Sequence, residues 1–125
     1  MSPRGLSIEE VAQCQHPGDF LRVVIASAPK KISLAQICER SGISSKGYLS
    51  DVLNNKKGLS FEAGRRLSRG LKLNSNLTKY LDLLILTAES RSMKDRNEIA
   101  RNEELLARQR KKLRYRRKSI RVESK

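Results

Sequence analysis

Residues 41–60, "SGISSKGYLSDVLNNKKGLS", combine small polar residues with apolar ones spaced three and four apart. At about 100° per residue on a helix starting near Ser45, Tyr48, Leu49, Val52 and Leu53 fall within one arc, and Lys46, Gly47, Ser50, Asp51 and Asn54 fall on the opposite one. Such a helix has one face for a core and one of short polar side chains. Gly42, ahead of it, can supply the positive φ of a sharp turn, and Asn55, behind it, tolerates the left-handed conformation that closes a helix. "KKG" then reads as the next turn.

Upstream, Ser33 reads as the N-cap of "LAQICERSG", whose Leu34, Ile37 and Cys38 share one face. From Asp19 to about Ala28, the recurrence of Phe20, Val23, Val24 and Ala28 predicts another helix with one buried face, ended by Pro29. "SIEEVAQCQ" opens with the Ser-x-x-Glu pattern in which Ser7 and Glu10 cap a short helix reciprocally, and "HPG" ends it. Downstream, Ser60 caps "FEAGRRLSRGLKL", with Ala63, Gly64, Leu67 and Leu71 on one face and Arg65, Arg66, Arg69 and Lys72 on the other. "NSNLTKYLDLLILTAES" is a further helix capped near Asn74 to Asn76. Its Leu83, Leu84, Ile85 and Leu86 cannot all face one small core, which predicts a homodimer formed through these four residues.

Beyond about Arg91 the composition shifts to 14 Lys/Arg against 5 Asp/Glu, a net +9, whereas residues 1–90 carry 13 against 8, or +5. Ile99, Leu106, Leu113 and Ile120 recur every seven residues without a second apolar position, half of a coiled-coil seam. The segment has no Pro or Gly, so a helix is expected through about Leu113, with the last dozen residues helical only when bound.

At 125 residues the chain suits one compact domain plus an extension: an N-terminal segment (1–18), a domain (19–90) and a basic helical extension (91–125). A net charge of +14 favours a polyanionic partner such as nucleic acid. The chain has no run of eighteen apolar residues and no apolar leader near its start, so it predicts no membrane partner and a cytoplasmic, nucleoid-associated location. Cys14, Cys38 and the lone His16 do not make a zinc set, and no phosphate loop or nucleophile with a recognisable base is present. Neither metal, cofactor nor catalysis is expected.

A major groove accepts one α-helix, and short side chains near its N-terminal end allow the backbone to approach the bases. Ser44, Ser45, Lys46, Ser50 and Asn54 are the candidate base contacts. Ser33 and Gln36 at a helix N-terminus, Lys56 and Lys57 in the link, and Arg65, Arg66 and Arg69 are the candidate phosphate contacts. From the extension, Arg108, Arg110, Lys111, Lys112, Arg114, Arg116, Arg117, Lys118 and Arg121 are expected to hold nucleic acid without reading sequence. Double-stranded DNA is the expected partner. The rival readings are an RNA-binding or nucleoid-type protein relying on the arginine-rich tail, and a protein that docks the basic helix on an acidic partner.

"LAQICERSGISSKGYLSDVLNNKKGLSFEAGRRLSRGLKLN" resembles the five-helix, all-α helix-turn-helix DNA-binding domain of the Cro and lambda-repressor class, over about residues 19–88. Gly42 of the turn, Ile43 after it, Leu49 and Val52 at buried positions of the recognition helix, and the "NKKGLSFE" link match that pattern. Three features depart from it: Cys38 stands where alanine is usual, Ser41 where an apolar residue precedes the glycine, and the turn is one residue longer. With the longer turn the chain is also similar to a bacterial family of uncharacterised regulators in which such a module runs through a basic helical segment into a longer C-terminal region. The resemblance implies a transcriptional regulator.

Overall fold

The computed structural model describes residues 7–28 and 30–123, with side chains described through residue 114. The described residues are all-α: α1 (Ile8–Gln13), α2 (Pro17–Ala26), α3 (Leu34–Ser41), α4 (Lys46–Leu53), α5 (Phe61–Gly70), α6 (Ser75–Ser92) and α7 (Arg96–Glu123). Local side-chain chemistry fixes most helix starts. The hydroxyls of Ser7, Ser33, Ser45 and Ser60 and the amide oxygen of Asn74 each accept from the backbone N–H three residues on, at 2.8–3.3 Å. At α3 the box is complete, since Ser33 N also donates to Gln36 Oε1 at 3.0 Å.

α2 begins two residues earlier than the sequence predicts. Pro17 occupies its first turn, where a missing N–H costs nothing and the fixed φ suits a helix, so "HPG" starts α2 as well as separating it from α1. It ends at Ala26; Pro29, expected to end it, lies outside the described residues.

Phe20, Leu21, Ile37, Leu49, Val52, Leu67, Leu81 and Leu84 belong to one buried cluster with Tyr80, which has no exposed surface. The Tyr80 ring lies 5.9 Å from that of Phe20. Its hydroxyl lies 3.3 and 3.1 Å from the Ala12 and Cys14 carbonyl oxygens as donor, and accepts from Arg110 Nε at 3.0 Å. One side chain thus joins α6 to the end of α1 and to α7.

The larger difference from expectation is the position of α7. It folds back along α6 and also packs on α1. Leu83, Leu84 and Ile85 are buried within the chain, Ile85 against α5 at Gly64, and Leu86 is half-buried. The apolar surplus that argued for a dimer through these four residues is covered by the chain itself. Leu106 and Leu113 are buried in the seam, and its missing half is polar, with Asn102 and Gln109 also buried. Asn102 Nδ2 donates to Ser90 Oγ at 2.8 Å, and Gln109 Nε2 donates to the Asn76 carbonyl at 3.0 Å. Both amides therefore satisfy hydrogen-bonding groups that burial would otherwise leave at a cost of about 1–3 kcal/mol each. α7 runs past Leu113 to Glu123, whereas the sequence predicts a helix only through about Leu113 with the last dozen residues helical when bound; the segment's helix-forming composition, free of Pro and Gly, accounts for the continuation.

Asp82, half-buried on α6, has a carboxylate oxygen with no hydrogen-bond partner among the described residues. Burial raises its pKa, with Arg65 partly opposing the shift. A carboxyl raised in the fold stabilises when protonated, and that contribution is lost as pH rises through its folded pKa. Asp82→Asn is accordingly expected to raise the melting temperature at pH 7, with the advantage disappearing near pH 3; thermal unfolding at both pH values checks this.

Candidate nucleic-acid interface

The unit formed by α3, residues 42–45 and α4 is built from local rules. Gly42 takes φ 71°, ψ 28°, a left-handed conformation that L side chains adopt only with strain, and Ile43 N donates back to the Cys38 carbonyl at 2.9 Å. The Gly42 carbonyl accepts from Arg66 Nη1 at 2.7 Å, while Arg66 Nη2 meets Glu62 at 2.9 Å. Arg66 therefore clamps the turn from α5, a structural role beside the predicted phosphate contact. The small Ser41 is explained by the same packing. It is buried where α3 meets α5, and a Cβ on Gly70 would collide with Ser41 Oγ, so two small residues let these helices approach closely. Cys38 is buried, with its sulfur 3.9 Å from the Ser45 carbonyl.

α4 separates its two arcs. Leu49, Val52 and Leu53 are buried, whereas Lys46, Gly47 and Asn54 are exposed and Ser50 and Asp51 are half-buried. Tyr48 belongs to the packing: it is half-buried, its hydroxyl lies 3.4 Å from the Gly58 carbonyl, and it accepts from Ser60 N at 3.3 Å. Ser44 is exposed in the turn, and Ser45 uses an acceptor site as the α4 cap while keeping its hydroxyl proton to donate. Asp51 has no ion pair among the described residues, although its backbone carbonyl accepts from Lys56 N and Lys57 N at 2.8 and 3.3 Å. That carbonyl shapes the link so that both lysine side chains are exposed. Asn55 closes α4 at φ 60° and donates from Nδ2 to Asp19 at 3.0 Å, tying the end of α4 to α2. This hydrogen bond, with Arg22 assisting, holds the Asp19 carboxyl below its usual range.

Ser33 and Gln36 cap each other, so the Gln36 N–H is not free; the donors left at this helix start are those of Leu34 and Ala35. Arg65 and Arg69 are exposed on α5. Lys30 and Lys31, immediately before the Ser33 cap, are exposed as well. Sequence reasoning passed over them, although a basic pair flanking a helix start is a readable signal for anion contact.

Among the tail cations, Arg108 pairs with Glu104 at 3.0 Å, Arg110 holds Tyr80, and Arg114 donates to both Glu9 carboxylate oxygens at 2.7 and 2.9 Å. Arg110 and Arg114 thus have structural work within the chain, beyond their predicted role. Lys111 and Lys112 are exposed, and the side chains of Arg116, Arg117, Lys118 and Arg121 lie outside the described residues. Among the described residues, α7 packs on α6 and α1 and on none of α3, α4 and α5.

No family model, curated protein or solved structure matches the chain. The site is therefore read from its own chemistry. Burial pushes the Cys14 thiol up to about 11, its sulfur donating to the Glu10 carbonyl at 3.3 Å, so it is a protonated packing group rather than a nucleophile. No three His, Cys, Asp or Glu residues converge as metal ligands, and no helix is long and apolar enough to cross a membrane, among the described residues.

Proposed function

We propose that residues 19–90 form a helix-turn-helix domain of the Cro and lambda-repressor type that binds double-stranded DNA sequence-specifically and regulates transcription without catalysis. The observation that carries this reading is the outward arc of α4: Lys46, Gly47 and Asn54 exposed around half-buried Ser50 and Asp51, on a helix fixed from behind by Leu49 and Val52. A helix about 10–12 Å in diameter fits a major groove about 12 Å wide, and short side chains beside Lys46 let its backbone approach the base edges. Ser44, Ser45, Lys46, Ser50 and Asn54 read base edges. Lys56 and Lys57 flank the far end of α4 and hold phosphate, joined by Arg65, Arg69 and the N–H groups at the start of α3.

Lys46→Ala and Ser50→Ala are expected to change which duplex is preferred, each base contact being worth about 1–3 kcal/mol of discrimination. Lys57→Ala is expected to weaken all duplexes alike. Competition binding against a panel of duplexes separates the two classes, and the same uniform loss in every variant would contradict the reading face.

The positive end of α7 adds affinity without sequence choice. Residues 116–125 carry five Lys/Arg against one Glu. Because Leu113 and Arg114 anchor α7 to the body, a deletion that tests this charge must begin after them. Removing residues 116–125 is expected to leave the fold and the preferred sequence unchanged, while the slope of log affinity against log salt falls by roughly 0.9 for each phosphate no longer neutralised. The titration is run on specific duplex, random duplex and RNA; preference for RNA over every duplex would favour an RNA-binding protein.

A further inference from the structure

Away from α3 and α4, a cleft of about 260 Å³ opens between the α1–α2 link, the end of α6 and one face of α7, lined by Gln15, Arg91, Glu103, Leu106 and Arg110. Its two guanidinium groups come from different helices and are held in place. Arg91 Nη1 donates to the Gln15 carbonyl and Nη2 to Glu103, each at 3.3 Å, longer than the usual 2.7–2.9 Å of a charge-assisted hydrogen bond. Arg110 donates through Nε to Tyr80, and its guanidinium carbon lies 5.9 Å from the Tyr80 ring centroid. Both Arg110 terminal nitrogens are left without a hydrogen-bond partner among the described residues. The lining thus carries two positive charges and one negative, with unpartnered donors on a side chain already fixed by its own Nε.

We propose that this cleft binds a small oxyanion, a carboxylate or phosphate group, between Arg91 and Arg110. Planar guanidinium groups match both geometries, and a cleft this small, below the usual 300–1,000 Å³ of drug-sized sites, suits an anion of a few heavy atoms. Glu103 is the built-in competitor: it occupies Arg91 when the site is empty and repels an incoming anion. Ligand bridging Arg91 and Arg110 ties α6 to α7 and so stabilises the fold. The inference does not depend on DNA binding, because among the described residues α7 packs on neither α3 nor α4.

The test is thermal unfolding of the full chain with millimolar inorganic phosphate or succinate against sodium chloride, at matched ionic strength. Wild type is expected to show a saturable rise in melting temperature with at least one of the two anions beyond that with chloride; which one responds identifies the headgroup. Arg91→Gln and Arg110→Gln are expected to abolish the rise. Glu103→Gln is expected to bind about three- to tenfold more tightly, because a like charge has been removed. That gain distinguishes a site from general neutralisation of a basic chain, and it remains measurable if Arg110→Gln fails to fold. An equal rise in wild type, Arg91→Gln and Glu103→Gln, or no rise in wild type, would overturn the proposal.

Discussion

Tyr80→Ala is expected to destabilise the protein by about 4–5 kcal/mol, the upper range for truncating a buried aromatic. The side chain has no exposed surface, packs beside Phe20 and hydrogen-bonds to both the end of α1 and α7. Against a typical total stability of about 5–15 kcal/mol, such a loss leaves a substantial unfolded population. Tyr80→Phe keeps the ring and is expected to lose about 1–2 kcal/mol, since the Arg110 Nε donor and the Ala12 and Cys14 carbonyls lose their shared partner. Urea unfolding followed by circular dichroism measures both. A Tyr80→Ala loss below about 1.5 kcal/mol would mean that α1, α6 and α7 are held together elsewhere.

The second large effect is removal of α7. A chain ending at Asp95 loses the burial of Leu106 and Leu113, worth about 1.5–3 kcal/mol each. It also uncovers the apolar surface of α6 beneath them and leaves the Asn76 carbonyl and Ser90 Oγ without Gln109 and Asn102. The sum is about 5 kcal/mol or more, enough to prevent cooperative folding in a domain of ordinary stability. Loss of a cooperative thermal transition and of dispersed amide resonances is the expected result, in contrast to the folded protein expected after deletion of residues 116–125. A soluble, cooperatively folded monomer of residues 1–95 would show that α7 is an appendage.

How far the fold was legible in the sequence depended on the range of the interaction. The caps at Ser7, Ser33, Ser60 and Asn74 could be read because each is satisfied three residues away. The buried set of α4 followed from helical periodicity, and the positive φ at Gly42 and Asn55 from the residues that tolerate it. Pro17 was misread because proline punctuates both ends of helices, and only the capping geometry decides which.

The cover over α6 was missed for a different reason. Hydropathy recognises a seam by its apolar residues, whereas α7 docks with Asn102 and Gln109 at the alternate positions, three residues after Ile99 and Leu106. The spacing was present, but the residue types that filled it read as solvated. Arg66, Arg110 and Arg114 show the same limit, since a cation on a helix face carries no local sign that a carbonyl, phenol or carboxylate from a distant segment will meet it. In the candidate site, the exposed positions of α4 were legible, while the mutual capping that occupies Ser33 and Gln36 narrows the donors at the start of α3 to Leu34 and Ala35.

The most direct measurement of the central claim is selection of duplexes from a randomised DNA library by the full chain, repeated with Lys46→Ala and with Lys57→Ala. The proposed reading face predicts an enriched base motif for the full chain, altered at one or two positions by Lys46→Ala, and kept by Lys57→Ala with weaker recovery. Recovery of duplexes with no common motif, by a chain that still binds DNA, would contradict sequence reading by α4 and leave only charge-driven binding.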